Sequence, residues 1–242
     1  MIDAHTHILP EIDDGAPDVS VSRAMLERLA VQGVTVACLT PHYSPSDSLE
    51  DFLLLREKSF RKIKDFGPEF NIRFSLGSET FLTAELLSKP KEYIEQLCLN
   101  GTKLLLVEFP YTCAFGDRTM YFIEALICDF EIKPVLAHIE RYKALMSNES
   151  VLDELIDKGC VAQINLNSIR RGTFIAKRKL LRFIRDGKAR FVGTDCHNMT
   201  SRPPEYKTNI DIIVKKLGER FVRDFHDSME RLIAAERSDV NA

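Results

Sequence analysis

Two pairs of side chains of the types that bind metals lie near opposite ends of this chain. A fold that uses both pairs in one site must bring these two segments close together. His5 and His7 follow an apolar start with one residue between them, and Asp195 and His197 follow the last predicted strand with the same spacing. Residues two apart lie on the same side of an extended strand, so each pair points in one direction. Imidazole and carboxylate ligands together suit divalent metals such as Mn, Fe or Zn. The two pairs can bind one metal site only if the first and last strands end close together, and this expectation favours a metal-dependent hydrolase.

Length and composition predict one domain over residues 1–242, with C-terminal helices from about residue 205 packing on it. Hydrophobic residues make up 45% of the 242, enough for a substantial core, and α/β barrels often reach this size undivided. A net charge of −3 gives no reason to expect a nucleic-acid partner. The absence of a leader, of an apolar run of about 20 residues and of paired cysteines predicts a cytoplasmic protein without membrane insertion. A homo-oligomer is compatible with the sequence.

Short apolar or β-branched runs alternate with amphipathic stretches along the whole chain. The predicted strands are Met1–His5, Val34–Thr40, Ile72–Gly77, Lys103–Phe109, Pro134–His138, Val161–Asn165 and Arg190–Thr194. The predicted helices are Ser20–Gln32, Leu49–Asp65, Glu85–Leu99, Asp117–Phe130, Ser150–Lys158, Phe174–Asp186, Glu205–Leu217 and Arg220–Ala235. Seven strand–helix units without a linker predict an α/β fold with a parallel (β/α)7 barrel. An open doubly wound sheet is the competing architecture.

Polar residues with ligand chemistry fall where the predicted strands end. Such barrels build their active sites at the carboxyl ends of the strands. The residues at these positions are His5, His7, His42, Glu79, Glu108, His138, Asp195 and His197. Carboxylates such as Glu79 and Glu108, in otherwise apolar surroundings, are rarely buried unless paired or metal-bound.

Several of these residues also have ordinary structural interpretations. The ordinary interpretation of His42 is a loop residue, and that of His138 is a core histidine with its hydrogen bonds satisfied. The other candidate ligands in the pattern favour a functional role for both. In the acidic turn after the first strand, either Asp13 or Asp14 is a candidate ligand, and the other is a cap or a solvated charge. His226, within a charged helical stretch, is predicted to be a surface residue.

Arginines follow two of the ligand positions. Arg141 lies three residues after His138 and Arg202 five after His197, and a planar guanidinium suits a phosphate, although a surface ion pair is the alternative. Cys196 and Arg202 formally match the C-x5-R pattern of thiol-based phosphatases. That loop requires glycines to turn backbone N–H groups inward, and none occurs between these two residues.

The combined pattern resembles the PHP (polymerase and histidinol phosphatase) superfamily, and more narrowly its bacterial protein-tyrosine phosphatase branch, encoded with capsule and exopolysaccharide genes. The resemblance covers residues 1 to about 204 in order. Its motifs are His5-x-His7, Ile-Asp-Asp-Gly, Thr-Pro-His42, Glu79, Val-Glu108-Phe-Pro, Ala-His138-x-Glu-Arg141 and Asp195-x-His197-Asn-x3-Arg202. Ile139 departs from the proline usual at that position, which puts the placement of Arg141 in doubt.

The resemblance implies a distorted TIM-like barrel of seven βα units that holds three divalent ions, usually manganese, with Fe or Zn as alternatives. It places the first ion on His5, His7, Glu79 and Asp195, the second on Asp14, His42 and His197, and the third on Glu79, Glu108 and His138. Arg141 and Arg202 would bind the phosphate, metal-activated hydroxide would attack, and His42 or His197 would help to protonate the leaving group. The substrate implied is a phosphotyrosine protein, namely a tyrosine autokinase with a C-terminal tyrosine cluster that regulates polysaccharide synthesis. The alternatives are another PHP phosphoesterase, such as a histidinol-phosphate phosphatase or a small exonuclease, and a scaffold that binds phosphotyrosine without turnover.

Overall fold

Parallel strands alternate with helices through the part of the chain that the structure, a computed structural model, describes, namely residues 1–235. The strands are β1 Ile2–Thr6, β2 Val36–Leu39, β3 His42–Tyr43, β4 Arg73–Leu76, β5 Glu79–Phe81, β6 Leu104–Glu108, β7 Lys133–Leu136, β8 Val161–Asn165 and β9 Ala189–Gly193. The helices are α1 Val19–Val31, α2 Leu49–Ile63, α3 Phe66–Phe70, α4 Ala84–Leu87, α5 Lys91–Glu95, α6 Asp117–Cys128, α7 Lys143–Ser147, α8 Glu149–Asp157, α9 Leu166–Arg171, α10 Phe174–Arg185, α11 Lys207–Leu217 and α12 Glu219–Ala235. A 3₁₀ turn covers Ile139–Arg141.

The strands occupy seven positions, because two positions contain an interrupted strand. The hydrogen-bonded orders are β1-β2-β4 and β3-β5-β6-β7-β8-β9, and every pair is parallel. β3 continues β2 beyond Pro41, and β5 continues β4 beyond Gly77. Hydrogen bonds from Gly77 N to Leu39 O (3.0 Å) and from Glu79 N to Pro41 O (2.9 Å) bridge the interruption.

The first and last strands meet, and their contact decides between the two predicted architectures. Asp195 N donates to His5 O at 2.8 Å, and His7 N donates to Cys196 O at 2.9 Å. A Cβ at Gly193 would lie 2.6 Å from the Cβ of His5, so only glycine permits this approach. A spatial order that follows the chain and returns to its start is that of a distorted (β/α)7 barrel. The prediction of a barrel is confirmed, and the open doubly wound sheet is excluded.

Helices cover the barrel with apolar faces spaced at helical intervals. Asp18 caps α1, accepting from Val21 N at 2.9 Å, and α1 buries Met25, Leu26 and Leu29. The two C-terminal helices α11 and α12 pack against each other, and α12 also contacts β1 and β9. The buried apolar residues form one connected cluster within residues 1–235. The prediction of one domain over 1–242 stays a prediction, and residues 236–242 lie outside the described part.

Two predictions about helices are wrong. The single helix predicted over Glu85–Leu99 is two short helices, because Pro90 lacks an amide hydrogen and its ring clashes with the preceding turn. His226, predicted at the surface, is buried with 8% exposure on the face of α12 that also buries Val222 and Met229. Its charged neighbours suggested solvent, whereas the helical spacing places it on the inner face.

Candidate metal centre

The structure brings together all nine residues that the sequence analysis proposed as metal ligands. They lie at the carboxyl end of the barrel, in or just beyond the strands, apart from Asp14 in the loop after β1. The ligand atoms of eight of them fall into groups whose members lie within 4.8 Å of one another. The groups are His5, His7, Glu79 and Asp195; His7, Asp14, His42 and His197; and His42, Glu79 and Glu108. His138 belongs to none of these groups, but its Nε2 lies 2.7 Å from Glu79 Oε1.

The first group is the most enclosed. His5 Nε2 and His7 Nε2 face each other at 3.0 Å, and Glu79 Oε2 lies 3.0 Å and 3.2 Å from them. Asp195 Oδ1 lies 3.6 Å and 3.5 Å from the same two nitrogens. All four side chains are buried. Two imidazole and two carboxylate groups that converge on one point provide a complete donor set for a divalent cation.

The second group distinguishes the two aspartates of the acidic turn. Asp14 Oδ1 lies 3.3 Å from His197 Nε2 and 3.6 Å from His42 Nε2. Asp13 is instead bonded to the other nitrogen of His7, with 2.7 Å between its Oδ2 and His7 Nδ1, and it accepts from His42 N at 3.0 Å. Asp14 therefore faces the ligand cluster, and Asp13 orients His7 from behind, as a carboxylate behind a ligating histidine commonly does.

Glu79 belongs to both the first and the third group, and the third group contains His42 where the sequence analysis placed His138. Glu79 Oε2 lies 3.2 Å from His42 Nδ1, and Glu79 Oε1 lies 2.7 Å from His138 Nε2. Glu108 reaches both histidines, at 3.2 Å from His42 Nδ1 and 3.8 Å from His138 Nε2. Glu79 thus touches every group in the cluster, which is the geometry required of a bridging carboxylate.

The charged carboxylates of the cluster attract positive charge. Burial opposes protonation of His7 and His42, but Glu79 and the other nearby acids outweigh burial and raise the pKa of each to about 9, so these imidazoles hold protons that a bound cation would displace. Burial opposes ionisation of Glu79, but the charge of His5 and hydrogen bonds from His138, His5 and His7 hold the pKa of Glu79 well below its usual range.

Burial and the neighbouring His7 lower the pKa of His197 to about 3, which keeps its imidazole neutral. His197 Nε2 is buried and makes no hydrogen bond. A neutral, buried nitrogen without a hydrogen-bond partner is costly in a protein alone and is a normal metal ligand.

Two proposed ligands have a left-handed backbone. His138 has φ of 34° and Asp195 has φ of 52°. Non-glycine residues adopt this conformation rarely and at an energetic cost, and such residues cluster at functional sites. The conformation turns both side chains sharply from the ends of β7 and β9 toward the barrel axis.

Gln163 and Asn165 form a supporting network that the sequence analysis missed. Gln163 Oε1 accepts from His138 N at 2.6 Å and lies 3.4 Å from His5 Nδ1. Gln163 Nε2 donates to Asn165 Oδ1 at 2.9 Å, and Asn165 Nδ2 donates to Asp195 Oδ2 at 2.7 Å. This buried chain connects three proposed ligands. Two amides spaced two apart in the otherwise apolar strand β8 were the available signal.

Arg141 and Arg202 both reach the cluster. Arg141 Nη2 and Arg202 Nη2 bind opposite oxygens of Asp195, at 2.5 Å and 2.6 Å, and both side chains remain about one-third exposed. Ile139, the departure from the family pattern, is buried at the start of the 3₁₀ turn. Cys196 is fully buried, and burial raises the pKa of its thiol well above the usual range, so it is no nucleophilic thiolate.

Comparison with known proteins agrees with this geometry. The family described as capsular polysaccharide synthesis, CpsB/CapC, matches residues 1–233. The chain belongs to this CpsB/CapC family. Among its relatives, the tyrosine-protein phosphatase CpsB of Streptococcus pneumoniae is 33% identical over 96% of this chain and 98% of its own length. The tyrosine-protein phosphatase YwqE of Bacillus subtilis (strain 168) is 30% identical over 96% and 91%.

A solved structure extends the likeness to the fold of this CpsB/CapC member. It comes from work on YwqE from Bacillus subtilis and CpsB from Streptococcus pneumoniae, described as unique metal-dependent tyrosine phosphatases. Its TM-score is 0.80 at 26% identity, and the superposition covers 98% of this chain and 96% of the other. The relatives are thus matched along nearly their whole length.

Proposed function

We propose that this CpsB/CapC member is a metal-dependent protein-tyrosine phosphatase that hydrolyses phosphotyrosine in a protein substrate. The observation that supports this most is the convergence of nine ligand-type side chains with two arginines at one end of the barrel. A cluster of metal ligands can have a purely structural role. A structural site does not require two guanidiniums beside it that are each about one-third exposed. The names of the relatives point to the same reaction.

The cluster would hold three divalent ions, most suitably Mn²⁺, with Fe or Zn as alternatives. His5, His7, Glu79 and Asp195 would bind one; Asp14, His42 and His197 the second; Glu79, Glu108 and His138 the third. Divalent ions in such a cluster lower the pKa of a water nucleophile and neutralise charge on phosphoryl oxygens. Because His42 lies close to both Glu79 and Glu108, it can complete the ligand set of either the second or the third ion.

The protein side chains would position and stabilise the phosphoryl group. Arg141 and Arg202 share Asp195 from its two sides, so a phosphate that enters between them meets two forked donors. Both can stabilise the charge that builds in the transition state. A phenolate leaves readily because the pKa of tyrosine is about 10. If an acid assists, its position favours His42, which is 36% exposed, over the buried His197.

The aromatic residues near the rim divide into core and surface. Phe109 and Phe115 are buried and pack edge to face at 5.1 Å. Tyr111 is 55% exposed, and its hydroxyl accepts from Arg141 at 3.2 Å. Tyr111 is therefore the aromatic ring best placed to stack on a phosphotyrosine, for about 0.5–1.5 kcal/mol beyond area burial. Phe81, half-buried after Glu79, borders a groove farther from the arginines.

We infer that the physiological substrate is a tyrosine autokinase whose C-terminal tyrosine cluster controls polysaccharide synthesis. Membership in a capsular polysaccharide synthesis family supports this partner. All six cysteines are free thiols, which agrees with action in the reducing cytoplasm. Within residues 1–235, no helix combines the length and apolar character needed to span a membrane.

Metal removal tests the proposal. Chelation should abolish turnover of a phenyl phosphate, and Mn²⁺ should restore it best. The control variant Cys196→Ser should keep most of the activity, because the thiol is buried and protonated. If Cys196→Ser removes turnover while chelation does not, the reaction proceeds through a thiolate. If phosphotyrosine binds to the metal-loaded protein without turnover, the protein is a scaffold.

Substrate choice tests the tyrosine assignment separately. A tyrosine side chain is long enough to place its phosphorus at the metals while the peptide stays outside, whereas serine is shorter. The value of kcat/KM for phosphotyrosine peptides should exceed that for phosphoserine peptides and for histidinol phosphate by roughly tenfold or more, the size of a 1.4 kcal/mol difference. Equal or faster turnover of histidinol phosphate would leave only the superfamily assignment.

A further inference from the structure

A small cavity of about 190 Å³ opens beside the ligand cluster, on the side of the two arginines. Arg141 and Arg202 line it together with Asp195, and so does a third arginine, Arg171. Asn167 and Ser201 contribute neutral hydrogen-bonding groups. The lining thus combines the two arginines proposed to bind phosphate with a guanidinium that the proposed reaction does not use.

The charge of this cavity is strongly positive. Among the described residues, Asp195 is the one carboxylate in its lining, and Asp195 is bound by both Arg141 and Arg202 and would also hold a metal ion. Glu140 is not among the lining residues; it is partly buried and accepts from Asn165 N at 3.2 Å and Ser168 Oγ at 2.8 Å. A group that enters the cavity therefore meets guanidiniums and neutral side chains, which favours an anion.

Arg171 is available to such an anion. Its nearest described carboxylate is Glu205, at 4.0 Å, which is the outer limit of an ion pair. Glu205 is already bound closely by Arg170, the preceding residue of α9. The Arg171 side chain is 57% exposed and lines the cavity, so it is accessible to an anion that enters from solvent.

We propose that this cavity is a second anion subsite, in which Arg171 binds an acidic group next to the phosphotyrosine of the substrate. The proposal rests on the phosphatase function proposed above, and it specifies the substrate class as acidic phosphotyrosine segments. The anion is a carboxylate or a second phosphate, since both accept two parallel hydrogen bonds from a guanidinium. With the reacting phosphate between Arg141 and Arg202, a neighbouring acidic residue reaches Arg171 in the same cavity.

The test uses the Mn²⁺-loaded full chain and phosphotyrosine peptides of one neutral sequence. A single glutamate is moved through the two positions on either side of the phosphotyrosine, and phosphoserine replaces glutamate at the best position. The ratio of kcat/KM, acidic over neutral peptide, should be about three to tenfold for the best position, as expected of a partly exposed, forked ion pair. Anisotropy titration with a non-hydrolysable phosphonate in place of the phosphotyrosine should give the same ratio in affinity.

Variants assign the effect to the cavity. Arg171→Ala should bring the acidic-to-neutral ratio to about one in both assays, and Arg171→Lys should recover it only partly, because an ammonium lacks the planar fork. The matched control is Arg178→Ala, which removes an equal charge from an exposed position on α10 that does not line the cavity. Whether glutamate or phosphoserine gives the larger ratio identifies the preferred anion.

The inference is overturned if no peptide position shows a preference, or if Arg171→Ala keeps the ratio of the unchanged protein. An equal loss in Arg171→Ala and Arg178→Ala would also overturn it, since the effect would then be general electrostatic attraction. Failure of the phosphatase proposal looks different, because the neutral phosphotyrosine peptide itself would not be hydrolysed.

Discussion

Histidines are buried at both ends of this barrel, but their surroundings differ completely. At the carboxyl end, His5, His7 and His138 lie within 3.2 Å of the carboxylate of Glu79. Near the first residues of β1, the His226 ring lies 6.1 Å from the Tyr206 ring, and neither of its nitrogens has a hydrogen-bond partner in the described part of the chain. The Tyr206 hydroxyl binds Ile2 O, which anchors this region to the start of β1. Burial alone does not indicate function in a histidine, whereas convergence on buried acids does.

The largest expected effect comes from removing the negative charge of Glu79, which His5, His7 and His138 contact. Glu79→Gln keeps the shape of the side chain but removes a carboxylate assigned to two ions. Loss of a single supporting interaction commonly costs about 10–100-fold in metal affinity or activity, so loss at two ions should cost on the order of 10³-fold. The metal content, measured by elemental analysis, and the phosphatase rate should fall together.

The matched control for this change is Glu85→Gln, an exposed residue of α4 away from the cluster, which should behave like the unchanged protein. Full metal occupancy in an inactive Glu79→Gln protein would remove the bridging role and leave Glu79 as a positioning residue.

Substitution of Arg141 or Arg202 tests catalysis separately from metal binding at the same rim. Arg141→Ala and Arg202→Ala should each lower kcat/KM by roughly 10²–10³-fold, the loss typical of an electrostatic stabiliser of the transition state. Metal content should stay unchanged, because neither guanidinium is a ligand. Arginine-to-lysine changes should recover little activity. Near-normal kinetics in either alanine variant would return that arginine to the role of an ion-pair partner of Asp195.

His226 provides the smallest effect, and it concerns stability alone. Burial, with a contribution from the amino terminus, lowers the pKa of His226 to about 4, below the usual 6.5. Between pH 6.5 and pH 4, His226 is therefore protonated in the unfolded chain and neutral in the folded chain. Stability from this group is complete above pH 6.5 and falls as the pH drops toward 4, by roughly 1–3 kcal/mol.

Denaturant unfolding at pH 7 and pH 5 measures this difference. His226→Leu should flatten the loss on acidification and leave phosphatase activity at pH 7 intact. Arg223→Gln, an exposed change on the same helix, should keep the original pH dependence. A strong loss of activity in His226→Leu at unchanged stability would mean that the two buried histidine regions are not as different as proposed.

Much of the rim could be predicted from sequence because the proposed ligands lie at strand ends. His5 with His7 and Asp195 with His197 have a spacing of two, and the order of strands in a barrel then determines where they meet. The residues alone do not distinguish Asp13 from Asp14 as a candidate ligand, because the two carboxylates are adjacent and only the backbone decides which one faces the cluster. Asp13 bonds the backbone N–H of Gly15 at 2.9 Å and thereby leaves Asp14 to face His197.

Other features depended on tertiary contacts that local patterns do not contain. Gln163 and Asn165 have no motif of their own, and their role appears only when β8 lies next to the ligands from β1, β7 and β9. The break at Pro90 and the buried face of His226 could have been found from the sequence, since proline chemistry and helical spacing are local. At Pro90 the amphipathic pattern continues across the proline, and around His226 the charged neighbours obscure the apolar helical spacing.

The most direct test of the central difference between the two regions is anomalous diffraction at the manganese edge from crystals of the Mn²⁺-loaded protein. The rim should show separate peaks within coordination distance of the proposed ligands around Glu79 and around Asp14. No peak should lie near His226, because no carboxylate within residues 1–235 forms an ion pair with its imidazole. A rim without manganese in crystals of active protein, or a fully occupied site at His226, would contradict the account.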